Sequence, residues 1–338
     1  MKNIFGSKAN ILIGLVALAI LLIPVFVKSQ YVIHIITLIF IWGLIATAWS
    51  YMGRFGLVSL GNGAFMGIGA YVSVLLFNNS HLSPWIGMVV GGIAAVIIVG
   101  FLGYACFRSG VVGDYFGLVT LALAEVTALA IVALREWTAG ELGTSVISLG
   151  TTSLWYLQSD QKLLFFYIAF VFMAGGLYLW KIIDDSKMKR ALAAIGENET
   201  AAAALGINVV KYKMLITMIS AFVTAIGGSL YAQYITYINP HTVSGVAISL
   251  SIPFKAIIGG MFTMLGPVIG SGIIVILEEF FRIVVGAEFV SISQIIFGVA
   301  LISLIIFLPK GLYGTLKERR ESKIDKQRKR AFREKSME

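Results

Sequence analysis

Hydrophobic positions along this chain are continuous rather than periodic. Ten apolar segments run at about 11–27, 31–52, 57–77, 85–107, 116–134, 162–183, 214–238, 246–260, 265–281 and 291–308, with short polar stretches between them. Most approach the ~20 residues an α-helix needs to cross the hydrocarbon core of a bilayer. The pattern predicts an all-α polytopic membrane protein of about ten transmembrane or broken helices. Composition agrees. Of the 338 residues, 58% are hydrophobic and 13% charged, against roughly 25% charged in a soluble domain. The first run is ~17 residues with no small-residue cleavage site before Lys28, so it reads as a retained span. Cys106 is the single cysteine, which excludes a disulfide scaffold. His34, His81 and His241 lie far apart, and none has a second ligand at metal spacing.

The net charge of +9 has an address. With a cytoplasmic N-terminus, the cytoplasmic side receives Lys2, Lys8, Arg54, Arg108, six cations between Lys181 and Lys213, and eleven from Lys310 onward, or 21 of 26. That is the bias of the positive-inside rule. Both termini are then cytoplasmic. Parity requires 246–281 to contain two crossings, or one crossing plus a re-entrant pair. The chain divides into a permease domain (1–314), with an outer loop at 135–161 and a cytoplasmic segment at 184–213, and a basic tail (315–338). The tail follows the last span directly, so orientation and contact with anionic lipid account for its charge, and no nucleic acid is expected. Five spans in each half allow an inverted 5+5 repeat, whose third members are 57–77 and 246–260.

Those third members carry the interruptions. The stretch Gly56–Tyr71 is rich in glycine, and Pro253, Gly259, Gly260, Gly266 and Pro267 mark the later one. Interrupted helices at matching positions of two halves point to a transport pathway near the midplane. Ser59, Gly63 and Gly67 recur at i, i+4, i+8, which equally suits plain helix packing. The candidate pathway or substrate residues are Ser59, Asn62, Gly63 and Thr120, with Glu125, Ser251 and Lys255. Glu125 and Lys255 are charges within apolar spans, costly unless paired or turned to a cavity. A Glu125–Lys255 pair is one expectation. Glu278, Glu279 and Arg282 are expected at the membrane interface. The outer loop combines Glu136, Glu141 and Asp160 with Trp137, Trp155 and Tyr156, a mixture suited to a docking surface or to an aromatic belt.

The segment 184–213 is the most polar stretch before the tail. Ala201–Ala204 favours a short helix, and Gly206 is placed to end it. No Gly-Lys-Ser/Thr phosphate loop occurs anywhere, so any ATP must bind elsewhere. This segment resembles the "EAA" loop of ABC-transporter permeases. More widely, the chain resembles the high-affinity branched-chain amino-acid permease family, second-permease type. The resemblance rests on Gly56–Tyr71, Tyr115–Glu125, Arg190–Lys213, Ser229–Ala232, Ile258–Gly260, Leu265–Pro267 and Leu308–Gly311, in order along residues 31–314. Two features depart from the pattern: Trp137–Ser145 replaces a Gly-rich outer stretch, and Thr200 stands where the general consensus has Glu.

The resemblance implies a non-enzymatic permease subunit of an ABC importer for branched-chain amino acids, in a bacterial or archaeal cytoplasmic membrane. Its implied partners are a sister permease in a heterodimer, two ATPase subunits that bind ATP and Mg, and an external solute-binding protein. No cofactor is implied in this chain. The element from Ala194 to Gly206 would couple to the ATPase, through Ala194, Ile195, Gly196, Glu197, Asn198, Glu199, Ala201, Ala202 and Gly206. Residues alone leave room for an importer of urea or short amides, for a proton-coupled transporter using Glu125, and for a membrane anchor.

Overall fold

The computed structural model describes residues 29–285 apart from 112, 151–152 and 159–161, together with the isolated positions Leu21, Pro24 and Gly298. The first and tenth apolar segments and the basic tail lie outside the described residues. Each of the eight segments between them forms a helix. These are α1 (Gln30–Gly53), α2 (Asn62–Ser80), α3 (Pro84–Arg108), α4 (Asp114–Ala133), α6 (Lys162–Asp185), α9 (Val209–Ile235), α11 (Gly245–Gly259) and α12 (Gly266–Val285). Short helices fill the connections: α5 (Arg135–Thr138), α7 (Lys187–Glu197), α8 (Glu199–Ala204) and α10 (Pro240–Val243). Among the described residues, six helices are long and apolar enough to cross a membrane, counting α10 and α11 as one arm. The protein is thus an all-α, multi-pass membrane protein.

The core forms around α1 and α9. The α2–α3 hairpin packs on α9, and the α11–α12 hairpin packs on α1. Small residues set these approaches. A Cβ on Gly69 would lie 2.0 Å from the Ala225 carbonyl oxygen, and one on Gly228 would lie 2.1 Å from that of Met66. Backbones this close admit nothing larger than glycine. Within the second hairpin, Gly259 faces Gly266 and Gly270 in the same manner. The segment 246–281 is therefore two antiparallel helices joined by a tight turn, not one tilted span.

Polar connections sort to two ends. At one end, Arg54 Nη1 donates to Asp184 Oδ1 at 2.7 Å and joins α1 to α6. Arg108, Lys211 and the 184–213 segment gather there too. At the far end, β1 (Thr144–Ser145) pairs antiparallel with β2 (Tyr237–Ile238), with Thr144 opposite Ile238. The loop before α6 folds back on the start of α3: the Trp155 carbonyl accepts from Ser83 Oγ at 2.6 Å, and the Leu154 carbonyl from Trp85 Nε1 at 2.9 Å. Trp137 and Trp155 remain 69% and 60% exposed, presenting apolar surface at that end.

Candidate functional site

The 57–77 segment is shorter as a helix than its apolar character suggests. Residues 57–61 are irregular, and α2 begins only at Asn62. Ser59 therefore does not share a helical face with Gly63 and Gly67. Irregular backbone inside an apolar bundle must find partners in the protein, and here it does. Leu60 N donates to Thr120 Oγ1 (3.0 Å), Gly61 N to Ser59 Oγ (3.2 Å) and Gly63 N to Ser249 Oγ (3.0 Å). The Ser59 carbonyl accepts from Trp49 Nε1 at 2.7 Å. Asn62 Nδ2 donates to Thr224 Oγ1 at 3.2 Å, in the middle of α9. The structure thus brings Ser59, Asn62, Gly63 and Thr120 together around the break, fully buried. Ser249, which sequence reading missed, completes the set. Pro253 lies one turn beyond it and has no N–H to offer the Ser249 carbonyl. Asn62 Oδ1 has no partner among the described residues.

Ser251 stands apart, its hydroxyl donating to the Ile248 carbonyl one turn back. Lys255 also lies elsewhere, and it does not meet Glu125. Its Nζ is 3.4 Å from Glu278 Oε1 and 4.2 Å from the centroid of the Trp42 ring. The α11–α12 register decides this, because α12 returns antiparallel and carries Glu278 back past Lys255. Glu278, its side chain 41% exposed, stays at the edge of the bundle and reaches in to Lys255, while Glu279, 8% exposed, accepts from Tyr31 Oη and Arg282 Nη2. Glu125 is exposed, on the face of α4 that also carries Leu118 and Leu129. A carboxylate oxygen lies 3.7 Å from where a Cβ on Gly245 would stand, at the first residue of α11. A negative group is favoured at that helix end.

The 184–213 segment folds into α7 and α8, as the alanine run and Gly206 predict. Ser186 caps α7 by accepting from Met188 N, and Asn198 caps α8 by accepting from Ala201 N. Gly206 has φ +83°, a left-handed conformation that stops α8. Ala191, Leu192 and Ile195 are buried on the bundle side, with Ala202 beside them. Gly196, Glu197, Asn198, Ala201 and Gly206 face outward, while Ala194 and Glu199 are half-buried. Leu205, 81% exposed, was missed by sequence reading, although an apolar residue beside a capping glycine was its signal.

Three contacts tie this element to the spans. A Cβ on Gly196 would lie 2.9 Å from the Phe55 carbonyl oxygen, at the foot of the irregular stretch. Glu199 pairs with Lys213, a buried residue in the first turns of α9. Arg54 anchors α1 to Asp184, which also faces Lys189 at 3.3 Å. Burial pushes the Arg54 guanidinium below its usual pKa, and Asp184 opposes that shift. Arg54 also lies 4.0 Å over the Trp180 ring. These contacts join the 184–213 segment to α1, to α9 and to the Arg54–Gly56 turn that leads into the 57–61 stretch.

Comparison with known proteins decides the family. The model for the "Branched-chain amino acid transport system / permease component" family matches residues 31–305. The chain belongs to this family of transport permeases. Its relatives include the LivM permease protein of the high-affinity branched-chain amino acid transport system of Escherichia coli (strain K12), 26% identical over 284 residues, with 77% of this chain and 66% of that protein covered. The nucleoside ABC transporter permease protein NupC of Lactococcus lactis is 24% identical, covering 63% of this chain and 69% of that protein. The ribose import permease protein RbsC of Haemophilus influenzae is 31% identical over 26% of each chain. The match to the LivM protein thus spans just under two thirds of its length. No solved structure matches.

Proposed function

We propose that this permease carries branched-chain amino acids into the cell as one of two permease subunits in an ABC importer. Two ATPase subunits drive it from the cytoplasmic side, and an external binding protein delivers substrate to the far end. The observation that carries this reading is the contact of the α7–α8 element with the Arg54–Gly56 turn that leads into the broken-helix stretch, Gly196 against Phe55. A partner that grips Gly196–Gly206 moves the foot of the break directly, a rigid-body mode of switching. Leu205 supplies an apolar knob for a groove on that partner. The end holding Arg54, Arg108 and the 184–213 segment is cytoplasmic by the positive-inside rule.

The exchange of hairpins, α2–α3 onto α9 and α11–α12 onto α1, supports an inverted repeat. In it, the irregular stretch before α2 and the break at Ser244 between α10 and α11 enter from opposite ends. The exposed α4 face carrying Glu125 is the surface we assign to the pathway beside the sister subunit, because a bare carboxylate there needs a wet or polar neighbour. The NupC relative motivates a second substrate reading, a nucleoside. Uptake of labelled leucine, challenged with isoleucine, valine or guanosine, separates the two: competition by guanosine alone overturns the amino-acid reading.

Coupling is tested in the reconstituted complex with Gly206→Pro. Proline cannot take φ +83°, so the α8 stop is lost while the spans still insert. Substrate-stimulated ATP hydrolysis should disappear. Unchanged stimulation, or full ATPase co-purification after deletion of 194–206, would overturn the assignment.

A further inference from the structure

We infer that the cleft between the cytoplasmic ends of α3 and α9 binds the phosphodiester headgroup of an anionic lipid. A cavity of about 440 Å³ opens there, lined by Tyr104, Arg108, Asn208, Val210, Lys211 and Met214. Close packing brings the two helices together along this line, Gly100 against Met218 and Gly103 against Met214. Two cations converge on the cleft, and no carboxylate lines it. Arg54, Lys189 and Lys213 at the same end each face a carboxylate. Among the described residues, Arg108 and Lys211 face none; Arg108 instead donates to Tyr104 Oη.

The surface above the cleft suits acyl chains. Ile97, Phe101 and Tyr104 are 66%, 84% and 48% exposed, and with Arg108 they follow one another at i, i+4, i+7 and i+11 on α3. One stripe therefore leads from bare apolar surface to a guanidinium at the helix end. A free anion has no use for that stripe, whereas a lipid fills both parts. Anionic lipid concentrates at the cytoplasmic leaflet, and basic pockets between helices on that side hold such headgroups. The inference rests on the cytoplasmic placement proposed above, but not on the substrate or on ATPase coupling.

The test is native mass spectrometry of the full chain in detergent, titrated with phosphatidylglycerol and with phosphatidylethanolamine. The Arg108→Gln/Lys211→Gln variant should lose roughly thirtyfold in affinity for phosphatidylglycerol, the factor that about 1 kcal/mol per charge gives. Its affinity for phosphatidylethanolamine should not change. Lys181→Gln/Lys187→Gln removes the same charge at the same end, away from the cleft, and should retain the wild-type affinity. Equal loss in both variants would mean a diffuse charge effect and overturn the site. Displacement of the lipid by millimolar inorganic phosphate would assign the cleft to a free anion instead. Both substituted pairs leave the helix caps intact, and an unchanged melting temperature verifies folding.

Discussion

Lys255 and Glu125 each place a charge inside an apolar helix, with opposite surroundings. Lys255 is 1% exposed, held between Glu278 and the face of Trp42. It ties α11 to α12 and to α1. Glu125 is exposed and lies beside the start of α11. A buried ammonium must be paired, because water is not there to solvate it. A carboxylate on an open helix face is tolerable only beside water or a polar partner. So the cost is met within the chain at Lys255, while Glu125 stays open on its helix face. The first charge is placed to hold helices together, and the second is the one proposed above for the pathway.

The largest effect should come from Lys255→Met. It removes the cation from over Trp42 and leaves Glu278, its side chain 41% exposed, without its partner, and the loss of such a charged hydrogen bond costs about 1.5–3 kcal/mol. A fall of many degrees in the melting temperature of the purified protein, or loss of the monodisperse peak, is the expected reading. Adding Glu278→Leu to Lys255→Met should restore most of that loss, since an apolar pair of similar volume replaces an ion pair at little cost. A single variant as stable as wild type would mean that Lys255 is not structural.

Glu125→Gln should invert that result. The melting temperature should stay put, while substrate uptake by the reconstituted importer falls roughly tenfold, the loss expected when a charged hydrogen-bond partner becomes neutral. Uptake at the wild-type rate would remove Glu125 from the pathway. A stability loss comparable to that of Lys255→Met would erase the distinction between the two sites.

Much of this was legible in the residues. Apolar runs located eight helices, and the alanine run with Gly206 located α8 and its stop. Local composition suffices for such features, because helix propensity and capping act over a few residues. The break at 57–61 was not legible in detail. Leu57, Val58 and Leu60 are as apolar as a helix requires, and their irregular path is set by Trp49, Thr120 and Ser249 from three other helices. The partner of Lys255 was hidden for a similar reason. Glu278 follows it by 23 residues, and only the close approach of Gly259 to Gly266 and Gly270 fixes the register that brings them together. Glu125 and Lys255 look alike in sequence because hydropathy records depth and not facing.

Trp42→Phe is the finest probe of the difference. Trp42 is buried and faces both Lys255 and Tyr231, so the ring contributes packing as well as charge stabilisation. Phenylalanine keeps an aromatic face of weaker quadrupole, and the cation–π part should drop by about 0.5–1 kcal/mol. In a Lys255→Met/Glu278→Leu background there is no cation to lose, so the same substitution should cost only its packing. The difference between the two backgrounds, measured as a double-mutant cycle on melting free energy, isolates the ring–ammonium contact. A coupling energy of zero would mean that Glu278 alone satisfies Lys255, leaving Trp42 as a spacer between α1 and α11.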